Sequence, residues 1–167
     1  MAEHSGHIES VEHLVEHLRE MLTPASVVVC VGSEISGDDG AGPAVAKLIA
    51  GQVPWPVFDT QTVPESFLMK IVAARPETVL LVDALDFGAA PGSVELFAAE
   101  AVTGQGPSTH GPAPIAFLDL LNMLHPCRRA VLGIQPARAE FGQPISPEVH
   151  KAVEMVTQAL ILAGKPA

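Results

Sequence analysis

Cysteine is scarce in this chain, with two in 167 residues, and the two do not form a C-x-x-C pair. Two cysteines cannot build a disulfide framework. Cys30 falls inside an apolar run and Cys127 near a helix end, so a reducing, cytoplasmic setting is the simplest expectation. Basic residues are also few: 9 Lys and Arg against 19 Asp and Glu, a formal charge of −10. Phosphate backbones are bound by clustered Lys and Arg, so nucleic acid is not an expected partner. No apolar run is long enough to cross a bilayer, and residues 1–10 are polar with no hydrophobic segment, so neither a membrane nor a secretory route is expected. The chain also lacks a G-x-S-x-G elbow, a G-x-G-x-x-G fingerprint and a P-loop, which argues against a serine hydrolase and a nucleotide-phosphate cradle. No repeat and no linker divides it.

What is present is an alternation of apolar runs and helical stripes. At 48% hydrophobic residues the chain reads as one globular domain with a substantial core. Residues 27–43, VVVCVGSEISGDDGAGP, set the pattern. Val27 to Val31 read as a buried strand of a parallel sheet. Gly32 and Ser33 break it, and Gly37, Asp38, Asp39 and Gly40 make a polar turn. A helix runs on from Ala41, with Pro43 in its first turn, where the missing N–H costs little. Further strands are expected at 57–59, 79–83, 94–97 (a candidate sheet edge) and 130–134. Helices are expected at 66–74, at 115–124 and from Pro147 to the C-terminal region. Residues 100–114, rich in Gly and Pro, read as a loop. Residues 3–23 carry a helical stripe through Ile8, Val11, Leu14, Val15, Leu18, Met21 and Leu22, ended by Pro24. The expected architecture is a single three-layer α/β/α sandwich with a twisted, mostly parallel sheet of about five strands. This domain spans 25–167, preceded by an N-terminal helical extension, 1–24. His4, His7, His13 and His17 lie in that extension. His13 and His17 have the i,i+4 spacing of a metal pair, but no Cys or carboxylate constellation closes a site around them, so a solvated helix face is the preferred reading.

Three sets of polar residues fall where the chemistry of such a fold is expected. Asp38 and Asp39 follow the first strand, Asp83 ends the run VLLVD, and His110 lies in a loop ahead of a helix. If the strands are parallel, their carboxyl ends share one edge, and Asp39, Asp83 and His110 converge there. Two carboxylates and an imidazole suit a borderline divalent metal such as nickel, zinc or iron, with positions left open for water or substrate. Each residue also has a structural reading. Asp38 or Asp39 serves equally well as a cap for the following helix. A lone loop histidine is more often solvated than a ligand. Asp83 is harder to dismiss, because a carboxylate buried at the end of an apolar strand needs a partner. Cys30 is an unpromising nucleophile in an apolar strand, and Met69, at helical spacing, reads as core before it reads as contact surface.

The motifs then become recognisable as a set. GDDGAGP, Pro64-Glu65, LLVDALDFG followed by Pro91-Gly92, Ser108-Thr109-His110 and LGIQP occur in order across residues 27–162. This resembles the hydrogenase maturation proteases, which trim the large subunit of nickel–iron hydrogenases. The GDDGAGP and LGIQP forms are most similar to the branch serving formate-hydrogenlyase-type (hydrogenase 3-like) enzymes. Ser33 departs from the Asn that many members carry at that turn. The resemblance implies a three-layer α/β fold and a metal-directed endopeptidase. Its nickel-contacting residues would be Asp39, Asp83 and His110, with Asp39 and Asp83 as the catalytic carboxylates. It further implies a large-subunit precursor as partner, which itself supplies the nickel and loses its C-terminal extension. Met69, Phe87 and the Gly-rich stretch 104–111 are candidates for the docking surface. The alternatives are a nickel-dependent checkpoint that binds the precursor without cutting it, and a plain nucleotide binder.

Overall fold

The computed structural model describes residues 6–102 and 113–167. In chain order these form β1 (Gly6–Ile8), α1 (Val11–Met21), β2 (Ser26–Cys30), α2 (Ala41–Ile49), β3 (Val57–Asp59), α3 (Leu68–Ala73), β4 (Thr78–Ala84), β5 (Val94–Ala98), α4 (Ala99–Val102), α5 (Ala113–Leu124), β6 (Arg128–Ile134) and α6 (Pro147–Ala163). Short 3₁₀ turns at Gly37–Gly40 and Pro64–Phe67 lead into α2 and α3.

β2 and β4 are buried along their whole length. Each faces helices on both sides, which is why its sequence is an unbroken apolar run and not an alternation. Val28, Cys30, Leu80, Val82 and Leu132 pack toward α1, α2 and α6. Their neighbours Val27, Val29, Val79, Leu81 and Val131 pack toward α3 and α5, the two-residue period of a pleated strand. The sheet order is β1-β5-β6-β4-β2-β3. The pairs β2–β3, β2–β4 and β4–β6 are parallel, whereas β5 runs antiparallel to β6 and to β1. The expected three-layer sandwich is present, with six strands among the described residues in a mixed sheet.

The differences from the sequence reading are local. The first helix does not begin at Glu3: Gly6–Ile8 is a strand and the helix starts at Val11. Ser10 marks that start, in an extended conformation with its hydroxyl accepting from the His13 N–H at 3.1 Å, as N-cap residues do. β5 is therefore internal and not an edge, because β1 pairs along its outer side. Residues 100–102, expected as loop, belong to the helix α4. The helix expected at 66–74 is split into a 3₁₀ turn and α3. Met69 is 67% exposed, not core, because the inward face of this short helix is taken by Leu68 and Ile71. Residues 6–24 are tied into the sheet domain. Leu14, Leu18 and Met21 belong to its core, Thr78 donates from its hydroxyl to the Met21 carbonyl (3.2 Å), and the Trp55 indole donates to the Thr23 carbonyl (2.9 Å).

The parallel strands β2, β3, β4 and β6 end along one edge of the sheet, and the loops that follow them form one rim. α5 reaches the same edge. It ends at Leu124, three residues before β6 starts at the opposite edge, so its first residues stand at the carboxyl edge, and it packs against the Pro64–Phe67 turn there.

Candidate active site

The loop after β2 is shaped by two glycines. Gly32 has φ +154°, and a Cβ there would overlap the Asp39 carbonyl oxygen. A Cβ on Gly42 would overlap the Val31 carbonyl. These close approaches let the turn Gly37–Gly40 settle onto the strand ends, where the Ser33 N–H donates to Asp39 O at 3.0 Å and the Asp39 N–H to Ser36 O at 3.1 Å. The turn packs against β4, the strand that carries Asp83.

The adjacent aspartates of this turn have different surroundings. Asp38 is fully buried. Its carboxylate accepts from the Ala137 and Arg138 N–H groups (2.8 and 2.9 Å), the Ser146 N–H (2.7 Å) and the Ser146 hydroxyl (2.9 Å). Four donors make this a charge-assisted clasp across about a hundred residues of sequence. It fastens the loop 135–146 to the first loop, and Ser146 is in turn the N-cap of α6. The cap reading of Asp38 is thus displaced by a longer-range one. Asp39 is 6% exposed, so it lies just under the surface of the edge. Asp83 is 1% exposed, within β4, opposite Gly133 of β6. By strand alternation it shares a face with Val79 and Leu81, the face covered by α5.

Other polar groups at this edge were not singled out from the sequence. Gln135, the Gln of LGIQP, is 6% exposed. Its side-chain oxygen accepts from the Phe87 and Ala89 N–H groups (2.9 and 3.2 Å) and its amide donates to Asp86 (3.1 Å). The Gln135 amide and the Gly88 N–H hold the Asp86 carboxyl below its ordinary range. Two motifs far apart in sequence, LDFG and IQP, are thereby one structural unit. Asp59 ends β3 beside Cys30 and accepts from the Gln61 side-chain amide at 2.9 Å. The signal that would have found Gln135 and Asp59 is the one that found Asp83: a polar residue directly after an apolar strand.

Cys30 is fully buried. Burial first, then the charges of Asp59 and Asp83, push its thiol far above the usual range. A thiol held protonated is a poor nucleophile. Cys30→Ala is therefore expected to keep peptidase activity within a few-fold while losing about 1 kcal/mol of stability to the smaller side chain. Parallel rate measurements and urea melts check this.

His110 and the stretch 104–111 lie outside the described residues. Phe87 is half-buried, edge-on to Phe97 with ring centroids 5.5 Å apart.

Fold and site together define an α/β domain with buried carboxylates gathered at the carboxyl ends of its parallel strands. The family model HycI, hydrogenase maturation protease, matches residues 43–163. The chain is 34% identical over 138 residues to the Hydrogenase 3 maturation protease of Escherichia coli (strain K12), covering 80% of this chain and 87% of that one. The solution structure of the endopeptidase HycI from Escherichia coli is similar with a TM-score of 0.72 at 30% identity, over 82% of this chain and 89% of that chain. The crystal structure of the [NiFe] hydrogenase maturation protease HycI from Thermococcus kodakarensis KOD1 shares the fold, with a TM-score of 0.77 at 21% identity over 90% and 99% of the two chains. The chain belongs to the hydrogenase maturation protease family. It is a hydrolase of the peptidase class, which sets aside the non-cleaving checkpoint and the nucleotide binder. Among the described residues no helix is long and apolar enough to cross a membrane.

Proposed function

We propose that this peptidase acts on the precursor of a NiFe-hydrogenase large subunit, recognises nickel already seated in that precursor, and removes its C-terminal extension. The observation that carries this reading is the pair of buried carboxylates, Asp39 and Asp83, on two elements packed together at the carboxyl edge. His110 precedes Ala113, the first residue of α5 at that edge, by three positions, a span of at most about 10 Å of chain. Two oxygens and one imidazole nitrogen suit a borderline ion such as nickel. The ion belongs to the substrate, so binding it both selects a loaded precursor and fixes where the bond is cut.

Nickel held by Asp39, Asp83 and His110 polarises the scissile carbonyl or the attacking water. Asp39, the more accessible carboxylate, is the general base. It takes a proton from water as the water oxygen adds to the carbonyl carbon, and the proton passes to the departing amide nitrogen as the C–N bond breaks. A buried Asp83 holds the ion from the α5 face. The rim is suited to a folded protein: Ile35, Val63, Met69 and Phe141 are 43–79% exposed on loops or first turns at this edge, and the Ile35 and Phe141 loops are joined by the Gly142 N–H donating to Ile35 O at 2.7 Å. Exposed apolar groups clustered at one edge mark contact surfaces. The free thiols of Cys30 and Cys127 fit action in a reducing cytoplasm.

The test is the mass of the large subunit after incubation with the purified protein. Nickel-loaded precursor is expected to lose a C-terminal peptide and nickel-free precursor to stay intact. Equal cleavage of both would overturn nickel recognition while leaving the peptidase in place.

A further inference from the structure

α1 carries a histidine pair that the peptidase site does not use. The Nε2 atoms of His13 and His17 are 3.0 Å apart, with ring centroids 4.7 Å apart and planes inclined at 52°. Both rings are partly buried, so their rotamers are constrained. The helix beneath them is anchored: Ser10 caps it, Leu14, Val15, Leu18 and Met21 bury its inner side, and Arg19 donates to the Leu162 carbonyl of α6 at 3.1 Å. His17 precedes Arg19 by two residues, about 200° around the helix, so the pair stands on the flank of α1 away from α6.

One N–H···N hydrogen bond between complementary tautomers would account for this distance. So would a shared cation. Two imidazole nitrogens that each lie 2.0–2.1 Å from one metal ion, at an angle between a right angle and the tetrahedral one, are separated by about 2.9–3.4 Å. The pair already has that separation without any movement of the backbone. Glu16 and Glu20 lie three residues beyond His13 and His17, on the adjoining strip of the helix, and the chain as a whole carries −10, a setting that attracts cations to this surface.

We propose that His13 and His17 form a second metal site, independent of the carboxylate edge, taking one divalent transition ion of borderline softness, such as nickel or zinc. Water fills the remaining positions. No group of three or more metal-type side chains occurs among the described residues, so this is a two-imidazole chelate, suited to reversible loading and not to a closed structural centre. A bound ion would tie successive turns of α1 together and stabilise the helix that covers one end of the sheet.

The test uses the full chain and the metals alone. Zinc and nickel are titrated against a competing indicator for four proteins: the unmodified chain, His13→Gln, His17→Gln, and Asp39→Asn/His110→Ala. The expected result is at least a tenfold weaker affinity for one bound equivalent in either histidine variant, and retention of that equivalent in the carboxylate-edge variant. The melting temperature should rise with added zinc in the unmodified chain and not in His13→Gln/His17→Gln. A measurement that needs no altered protein guards against misfolded variants: in histidine ring ¹H–¹⁵N spectra, the His13 and His17 Nε2 signals should move together on zinc addition. Unchanged affinity and stoichiometry in the histidine variants, or rings that do not respond to zinc, would overturn the proposal and leave the pair as a hydrogen bond only.

Discussion

Asp39→Asn is expected to lower the rate of precursor cleavage by a factor of about 10²–10⁴, the range supplied by a positioned general base. That corresponds to roughly 3–5 kcal/mol in the barrier. The melting temperature should hardly change. Asn has the same shape, and the turn is held by backbone bonds that the substitution leaves alone, Ser33 N–H to Asp39 O and Asp39 N–H to Ser36 O. Asp83→Asn is expected to cost as much in rate, for a different reason: β4 keeps its ladder on both sides, but the amide is a weaker ligand for a divalent ion than a carboxylate. The check is single-turnover cleavage of nickel-loaded precursor, read by mass, beside thermal melts of each variant. Wild-type rates in both variants would remove Asp39 and Asp83 from the chemistry.

The neighbouring substitution should behave in the opposite way. Asp38→Ala takes away the acceptor for three N–H groups and one hydroxyl, from Ala137, Arg138 and Ser146, in a place where Asp38 is wholly buried. Each buried donor left without a partner costs about 1–3 kcal/mol, less where water can enter. A net loss of about 3–5 kcal/mol is expected, and at roughly 2–4 °C per kcal/mol for a chain of this size the midpoint should fall by about 10 °C or more. The loop 135–146 should also become an early site of proteolysis, because the clasp is what fastens it. Any loss of cleavage should follow loss of fold: below the lowered midpoint, activity per folded molecule should be reduced far less than in Asp39→Asn. Urea melts, limited proteolysis and rate measurements on the same sample separate the two aspartates. An unchanged midpoint for Asp38→Ala would mean that the clasp contributes nothing.

These contrasting expectations show where the sequence was legible. The apolar runs of β2 and β4 announced a parallel sheet, because a strand covered on both faces has no polar positions to spare. Asp83 was visible as a carboxylate ending such a run. The glycines around GDDG marked a sharp turn, and the order of the motifs pointed to the family. β1 was not legible. Three residues, Gly6 to Ile8, have no periodicity to read, and their pairing partner lies almost ninety residues away at Val94–Leu96. Met69 was misread as core because a six-residue helix buries only one strip of its surface, and Leu68 and Ile71 occupy it.

By itself the sequence determined the class of fold, which follows from strand-length apolar runs and turn glycines, and pointed to the family through the order of its motifs. The sequence preferred Asp39 to Asp38 only by motif position, and only the tertiary structure gives the two different surroundings. The two are chemically identical and adjacent, and nothing within several residues of either distinguishes them. What separates them is the set of donors from Ala137, Arg138 and Ser146, about a hundred residues further on. The same holds for Gln135, which gains its role only when folding brings Phe87 and Ala89 to its side-chain oxygen. A buried polar side chain takes its role from whichever groups must pair with it, and in this fold those groups come from the far end of the chain.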